Sequence, residues 1–202
     1  MPISVWLLPD PPAYDEMSTK VSTIAAEHSL PPFAPHITLL GDAGESADAA
    51  VAKLQRLRAS GVVPIRFTEV TAGRFPQGGE HAGEVPWFQS AVAVVEETPE
   101  LLRIKRLTEG VFVGASALPQ QEDESSPIMW APPLNKPHMS LAYGNDPVLC
   151  DALQIPGPFC CDAVAVVDCS PATAEGSCSW KVLARVSLDY DLVGTPRVSM
   201  SD

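Results

Sequence analysis

Two short stretches of the chain repeat each other: Pro35-His36-Ile37-Thr38-Leu39 and Pro137-His138-Met139-Ser140-Leu141. Each sets a proline before a histidine and then alternates apolar and polar positions. Period-two alternation is a strand signal, because successive side chains of a strand leave opposite faces. His36 and Thr38 therefore share one face, with Ile37 and Leu39 turned into a core. His138 and Ser140 share a face in the same way, with Met139 and Leu141 behind. A chain that repeats this pattern in two distant places has to build two strands, each with one polar and one buried face. The sequence holds four histidines, and two of them sit in this matched setting.

The rest of the chain supplies partners for those strands. Ile3 to Leu8 is short, β-branched and aromatic, bounded by Pro9-Asp10-Pro11-Pro12, and reads as a strand. Apolar or small residues at 14, 17, 21, 24, 25 and 28 predict a helix from Tyr14 to His28, ended by Pro31-Pro32. The first motif strand runs from His36 to Leu40. Ser46 caps a second helix, with Asp48 in its first turn and Ala47, Ala50, Val51, Leu54 and Leu57 on one face, running out at Gly61. Pro64 to Ala72 and Trp87 to Val95 read as strands around a glycine-rich loop, Arg74 to Pro86. Thr98-Pro99-Glu100 opens a third helix, with proline where its missing N–H is harmless. Gln120 to Pro133 reads as an acidic, proline-rich insertion. The second motif strand spans His138 to Tyr143, and strands at Ala163 to Val167 and Trp180 to Leu188 close the order.

Few helix-to-strand crossovers remain once the hairpins are counted. The expected class is α+β: a bilobal fold of two mostly antiparallel sheets facing a central cleft, with helices outside. The 202 residues, 46% of them hydrophobic, suffice for one bilobal domain over residues 1–192, with a flexible tail over 193–202.

The motif residues suit one kind of chemistry. Hydrolysis of a phosphodiester needs a base for the attacking water, an acid for the departing alkoxide, and donors for the equatorial oxygens. Histidine fits the first two tasks because its ordinary pKa, about 6.5, lies near working pH. The expected catalytic pair is His36 and His138, with His138 as base and His36 as acid, or the reverse. Thr38 and Ser140 are the expected phosphate-binding hydroxyls. Two acid–base groups contribute modestly, about 10²–10⁴-fold each, which favours a strained cyclic phosphate as substrate and requires no metal. Trp87 is a candidate for stacking on a base. Lys136 is either a phosphate-neutralising or a solvated lysine, while His28 and His81 read as a helix-terminal and a solvated loop histidine.

Charge narrows the ligand. A net charge of −12 repels polyanions, so DNA, long RNA and an anionic membrane surface are poor partners, whereas a small nucleotide still fits a locally favourable pocket. No segment approaches the roughly 18 apolar residues of a membrane span. The apolar run Ile3 to Leu8 is too short for a signal segment, so a cytoplasmic protein is expected. Five cysteines, an odd number, suggest reduced thiols. Cys160, Cys161, Cys169 and Cys178 show no C-x-x-C spacing and no nearby histidine, so no structural metal is expected. No cofactor is expected either, and the chain is expected to be a monomer.

The two H-x-T/S motifs resemble those that define the 2H phosphoesterases. Ser4-Val5-Trp6-Leu7-Leu8-Pro9, Trp87-Phe88-Gln89-Ser90 and Trp180-Lys181-Val182-Leu183-Ala184-Arg185-Val186 resemble stretches of the fungal-type 2′,3′-cyclic-nucleotide 3′-phosphodiesterases. The resemblance covers most of residues 1–190. It implies the bilobal 2H fold, hydrolysis of nucleoside 2′,3′-cyclic phosphates to 2′-phosphates, and opening of ADP-ribose 1″,2″-cyclic phosphate, a by-product of tRNA splicing, to ADP-ribose 1″-phosphate. It also implies that Tyr143, five residues after the second motif histidine, lies near the phosphate. Strand parity argues otherwise, because an offset of five places Tyr143 on the face opposite His138 unless the strand bends near Gly144. Two rival readings remain: an RNA-end processing enzyme of the same superfamily (a 3′-exonuclease or 2′-5′ RNA ligase-like protein), disfavoured by the acidic charge, and a non-catalytic nucleotide-binding 2H domain, disfavoured by the intact motif pairs.

Overall fold

The computed structural model describes residues 2–72, 89–113, 128, 130, 135–144, 150–173 and 175–189. Trp87, His81, the glycine-rich loop over 74–86, the acidic run Glu122-Asp123-Glu124 and the segment 193–202 lie outside the described residues. Eight strands and three α-helices are described: β1 Ile3–Pro9, α1 Pro11–Glu27, β2 Ile37–Leu40, α2 Ala47–Leu54, β3 Val63–Ile65, β4 Phe67–Thr71, β5 Gln89–Val95, α3 Pro99–Phe112, β6 His138–Tyr143, β7 Phe159–Asp168 and β8 Lys181–Ser187.

The helices begin where side-chain caps take their orphan N–H groups. Asp10 accepts from Ala13 N, Ser46 from Ala49 N, and Thr98 from Leu101 N. Helix α1 starts three residues before the expected Tyr14. The Pro11-Pro12 pair that looked like a strand boundary occupies its first turn, where an Asp cap and a fixed proline φ favour the helix. Helix α2 ends at Leu54, and a single 3-10 turn over Gln55–Leu57 carries its apolar face on to the buried Leu57. The expected strand Pro64 to Ala72 is two strands, broken at Arg66.

All strand pairs are antiparallel. Their order is β3-β7-β1-β2-β6-β5-β4, with β8 also paired to β7. Two antiparallel sheets are thereby joined: β3, β8, β7, β1 and β2 form one, and β6, β5 and β4 form the other. Their junction is the pair of motif strands, and it is one residue pair long, Ile37 opposite Met139. One sheet face carries Ile3, Val5 and Leu7 from β1, Ile37 and Leu39 from β2, and Met139 and Leu141 from β6. These pack with Leu54 of α2 and Leu101 and Ile104 of α3 into the main core. The opposite face of β1 and β7 carries Trp6, Leu8, Ala163, Ala165 and Val167. Among the described residues, no helix is long and apolar enough to cross a membrane.

The fork between the two sheets leaves backbone that needs partners, since a buried carbonyl without one is costly. Lys105 of α3 answers it. Its ammonium, 3% exposed, donates to Leu39 O at 2.8 Å, pairs with Glu109 at 2.8 Å, and lies 5.4 Å from the Trp130 ring. Lys105 thus fastens α3 to the motif strand β2. We predict that Lys105→Met lowers unfolding stability in urea by about 2 kcal/mol, the scale of a buried hydrogen bond from a charged donor. A loss below about 0.5 kcal/mol, the level of an ordinary surface substitution, would contradict this role.

Candidate active site

The Ile37–Met139 pair decides where the motif side chains meet. In an antiparallel pair, continuing that register by one residue each way sets His36 opposite Ser140 and Thr38 opposite His138. Ile37 and Met139 point into the core, so all four polar side chains leave on the other face. Neighbours directly across an antiparallel pair have Cβ atoms about 4.5–5.5 Å apart, and diagonal ones about 7–8 Å. The two imidazoles occupy one diagonal of this square and the two hydroxyls the other. The motif strands are therefore side by side at the junction of the two sheets.

The proline before each histidine has a structural consequence. His36 Nδ1–H donates to Ala34 O at 2.7 Å, and His138 Nδ1–H donates to Lys136 O at 2.8 Å. A carbonyl oxygen can only accept, so each neutral ring carries its proton on Nδ1 and leaves the Nε2 lone pair for chemistry. Residues before proline are held extended, which presents the carbonyl two positions back to the ring. The repeated x-Pro-His unit fixes both tautomers in the same way.

Both rings are buried, His36 3% and His138 6% exposed. Burial pushes the His36 pKa down to about 4, against the favourable Ala34 carbonyl and with help from His138's own charge. His138 is also lowered, chiefly by burial and against the Lys136 carbonyl. The effect of the His138 charge on His36 agrees with the closeness that the register gives the two rings.

Aromatic rings enclose the square. Register places Trp6 of β1 opposite Thr38. Its indole stacks on His36, with centroids 3.5 Å apart and planes 7° from parallel, and its Nε1 donates to Ser4 Oγ at 2.8 Å. Trp180 lies 6.4 Å from His36, 5.8 Å from Trp6 and 5.4 Å from Tyr143, and Phe33 lies 4.3 Å from Tyr143. Trp87, the candidate stacking residue, lies outside the described residues. Trp6 and Trp180 are the site-face tryptophans that the pattern of single strands did not reveal, because neither declares which strand it will neighbour. Lys136 is exposed and pairs with Glu69 at 3.7 Å on the surface. His28 caps the C-terminus of α1 in solvent.

Tyr143 joins the site despite the parity argument. The β5–β6 ladder slips twice, once between Ala91 and Val92 and once between Gln89 and Ala91. Ala91 faces Ala142 while Val92 faces Ser140, so Leu141 is an extra residue on β6. Leu141 and Ala142 consecutively line the main core, and after this bulge Tyr143 turns to the face of His138 and Ser140. The strand changes face before Gly144, not at it. The second slip makes Ser90 the extra residue of β5; its hydroxyl donates to Gly144 O at 2.8 Å. A Cβ at Gly144 would come within 2.6 Å of Leu30 Cδ2 and 3.1 Å of Ser90 Oγ, so any larger residue there would have to displace the Leu30 side chain. Gln89, paired with Tyr143, turns inward too, and its Nε2 donates to Ser140 Oγ at 2.8 Å. Burial raises the Tyr143 phenol to about 12, opposed by its contacts with Ser140 and Gln89, so it stays neutral. Gln89 was legible only as part of a family-like stretch.

The five cysteines are separate thiols. Among the described residues, no group of three or more His, Cys, Asp and Glu side chains is placed to hold a metal ion.

A mainly antiparallel bilobal sheet with two H-x-T/S strands at its junction is the architecture of the 2H phosphoesterase class. The model of the cyclic phosphodiesterase-like protein family matches residues 1–155, and the chain belongs to that family. Among solved structures, TT0787 of Thermus thermophilus is similar at 19% identity and a TM-score of 0.53, over 93% of this chain and 98% of that one. LigT of E. coli complexed with 3′-AMP is similar at 14% identity and a TM-score of 0.51, over 93% and 96% of the two chains. LigT complexed with NADP+ is similar at 14% identity and a TM-score of 0.53, over 93% and 97%. At these identities the likeness is one of fold. No curated protein matches the chain in sequence.

The buried neutral rings predict a pH dependence of stability. Unfolded, each histidine takes up a proton near pH 6.5; folded, His36 resists protonation to about 4. The unfolded chain therefore binds more protons as pH falls below about 6.5, and stability falls with it, by roughly 1.4 kcal/mol per pH unit for each ring that stays neutral. Urea unfolding from about pH 7.5 down to about 4.5, a range that spans the ordinary histidine pKa, should show a steeper loss for the wild type than for the His36→Asn/His138→Asn double variant, whose amides keep a donor toward Ala34 and Lys136. Parallel pH profiles would show that the rings are not held neutral.

Proposed function

We propose that the protein hydrolyses small cyclic phosphates, with nucleoside 2′,3′-cyclic phosphates going to 2′-phosphates, by acid–base catalysis shared between His36 and His138. What supports the reading is the register of β2 against β6, which puts His36, Thr38, His138 and Ser140 on one face at the junction of the motif strands, with each histidine's Nδ1 proton engaged by a backbone carbonyl. Family membership points to the same chemistry. His138 Nε2 takes a proton from water as the water oxygen bonds to phosphorus. The bond from phosphorus to the 3′ oxygen breaks, and His36 Nε2–H gives its proton to that oxygen. Thr38, Ser140 and Tyr143 donate to the equatorial oxygens, where charge grows.

The assignment of His36 as the acid has a physical basis. In the free protein its ring is neutral, held near pKa 4 by burial. A phosphate charge about 4 Å away, at an effective dielectric of about 20, favours the imidazolium by about 4 kcal/mol, or about three pKa units. The Trp6 face stacked on His36 adds about 0.5–2 kcal/mol for a cation. Substrate binding thus charges the acid. His138, the ring without the Trp6 stack, is the base.

The acidic surface favours small substrates over RNA chains, and ADP-ribose 1″,2″-cyclic phosphate belongs to the same substrate class. The test is hydrolysis of a 2′,3′-cyclic mononucleotide without added divalent metal, with the product identified by phosphorus NMR. His36→Ala and His138→Ala should each lower kcat/KM by about 10²–10⁴-fold. Either variant near the wild-type rate would refute the mechanism. Trimming of an RNA oligonucleotide at comparable kcat/KM would transfer the activity to RNA ends.

A further inference from the structure

We infer that Gln89 is a positioning residue that sets the direction of the Ser140 hydroxyl, so that its proton is offered to the substrate phosphate. The inference rests on the proposed phosphoesterase reading and deepens it. Gln89 is 5% exposed and held inward by the double slip in the β5–β6 ladder. Its Nε2 donates to Ser140 Oγ at 2.8 Å and also faces the Tyr143 hydroxyl. An amide nitrogen has only protons to give. Ser140 Oγ therefore commits a lone pair to Gln89, and its single proton is turned away from Gln89, toward the neighbouring Tyr143 hydroxyl in the free protein and toward the anion when substrate is bound. The amide dipole reinforces this, with its N–H end toward the phosphate square. The carbonyl end, Oε1, is buried without a hydrogen-bond partner among the described residues. A buried acceptor left unpaired costs stability, so the fold tolerates a cost to keep the donor end forward. Thr38, on the other motif strand, is partly exposed.

Three variants test this, with His36→Ala as the reference for binding at the site, each compared with wild type at neutral pH for affinity toward inorganic phosphate and for turnover of a 2′,3′-cyclic mononucleotide. Gln89→Met keeps the volume and removes the donor. Gln89→Glu reverses the hydrogen bond, because a carboxylate accepts the Ser140 proton. Ser140→Ala removes the group being positioned. Gln89→Met should weaken phosphate binding and lower kcat about tenfold, and Gln89→Glu about a hundredfold, the scale of a lost charge-assisted donor. The Gln89→Glu rate should recover as pH falls and the protonated carboxyl again donates to Ser140, which a purely structural role would not produce. In the Ser140→Ala background, Gln89→Met should change neither quantity by more than about twofold.

Near-wild-type values for both Gln89 variants, with phosphate affinity still dependent on His36, would overturn the inference and leave the functional reading intact. Phosphate affinity independent of His36, Ser140 and Gln89 alike would overturn both. An undiminished Gln89→Met effect in the Ser140→Ala background would overturn it as well, by showing that Gln89 acts on some other group.

Discussion

A single backbone pair, Ile37 opposite Met139, holds the two halves of this protein's sheet in register, and the candidate site is a consequence of it. A slip of one residue would reverse the faces of one motif strand. It would send His138 and Ser140 into the core and Met139 into the site. The register is secured by the cost of that exchange. Ile37 and Met139 are almost completely buried, as are Leu39 and Leu141 beside them. Each apolar side chain contributes about 1.5–3 kcal/mol by burial, so the apolar half of each motif fixes the geometry of its polar half. Lys105 then holds β2 where it parts from β6.

The same economy appears within each motif. Proline holds the preceding residue extended, and that residue's carbonyl oxygen accepts a hydrogen bond from the histidine Nδ1–H. Each motif thus supplies a buried anchor, a ring of defined tautomer and a hydroxyl. Because the two strands run antiparallel, two copies of the unit give a nearly two-fold symmetric square. The symmetry is broken by neighbours. Trp6 stacks on His36, and Gln89 reaches Ser140. A phosphodiester in hydrolysis also has two unlike ends, an entering water and a departing alkoxide, and the unlike surroundings of the rings match that need.

Much of the frame was legible in the sequence because it depends on local pattern. The motif faces follow from period two, Ser46 and Thr98 cap as their residue types prefer, and both motif strands lie where the alternation put them. The features that were hidden depend on pairing between distant segments. Nothing in Ser4-Val5-Trp6 announces that β1 will lie beside β2, so the contact of Trp6 with His36 could not be read from either strand. Tyr143 was misjudged by parity because a bulge at Leu141 changes the count, and a bulge is set by the partner strand as much as by its own residues. Gln89 was hidden for the same reason, and Lys105 because a helical lysine is ordinarily solvated.

The central claim is that one phosphorus atom can sit between both Nε2 atoms and both motif hydroxyls. A crystal structure of the protein with a nucleoside and orthovanadate, which adopts the five-coordinate geometry of the transition state, tests it most directly. The account predicts one vanadium centre with oxygens within hydrogen-bonding distance of His36 and His138 on opposite sides and of Thr38 and Ser140 across the other diagonal. Vanadate bound elsewhere, or held by one imidazole while the other faces away, would contradict it.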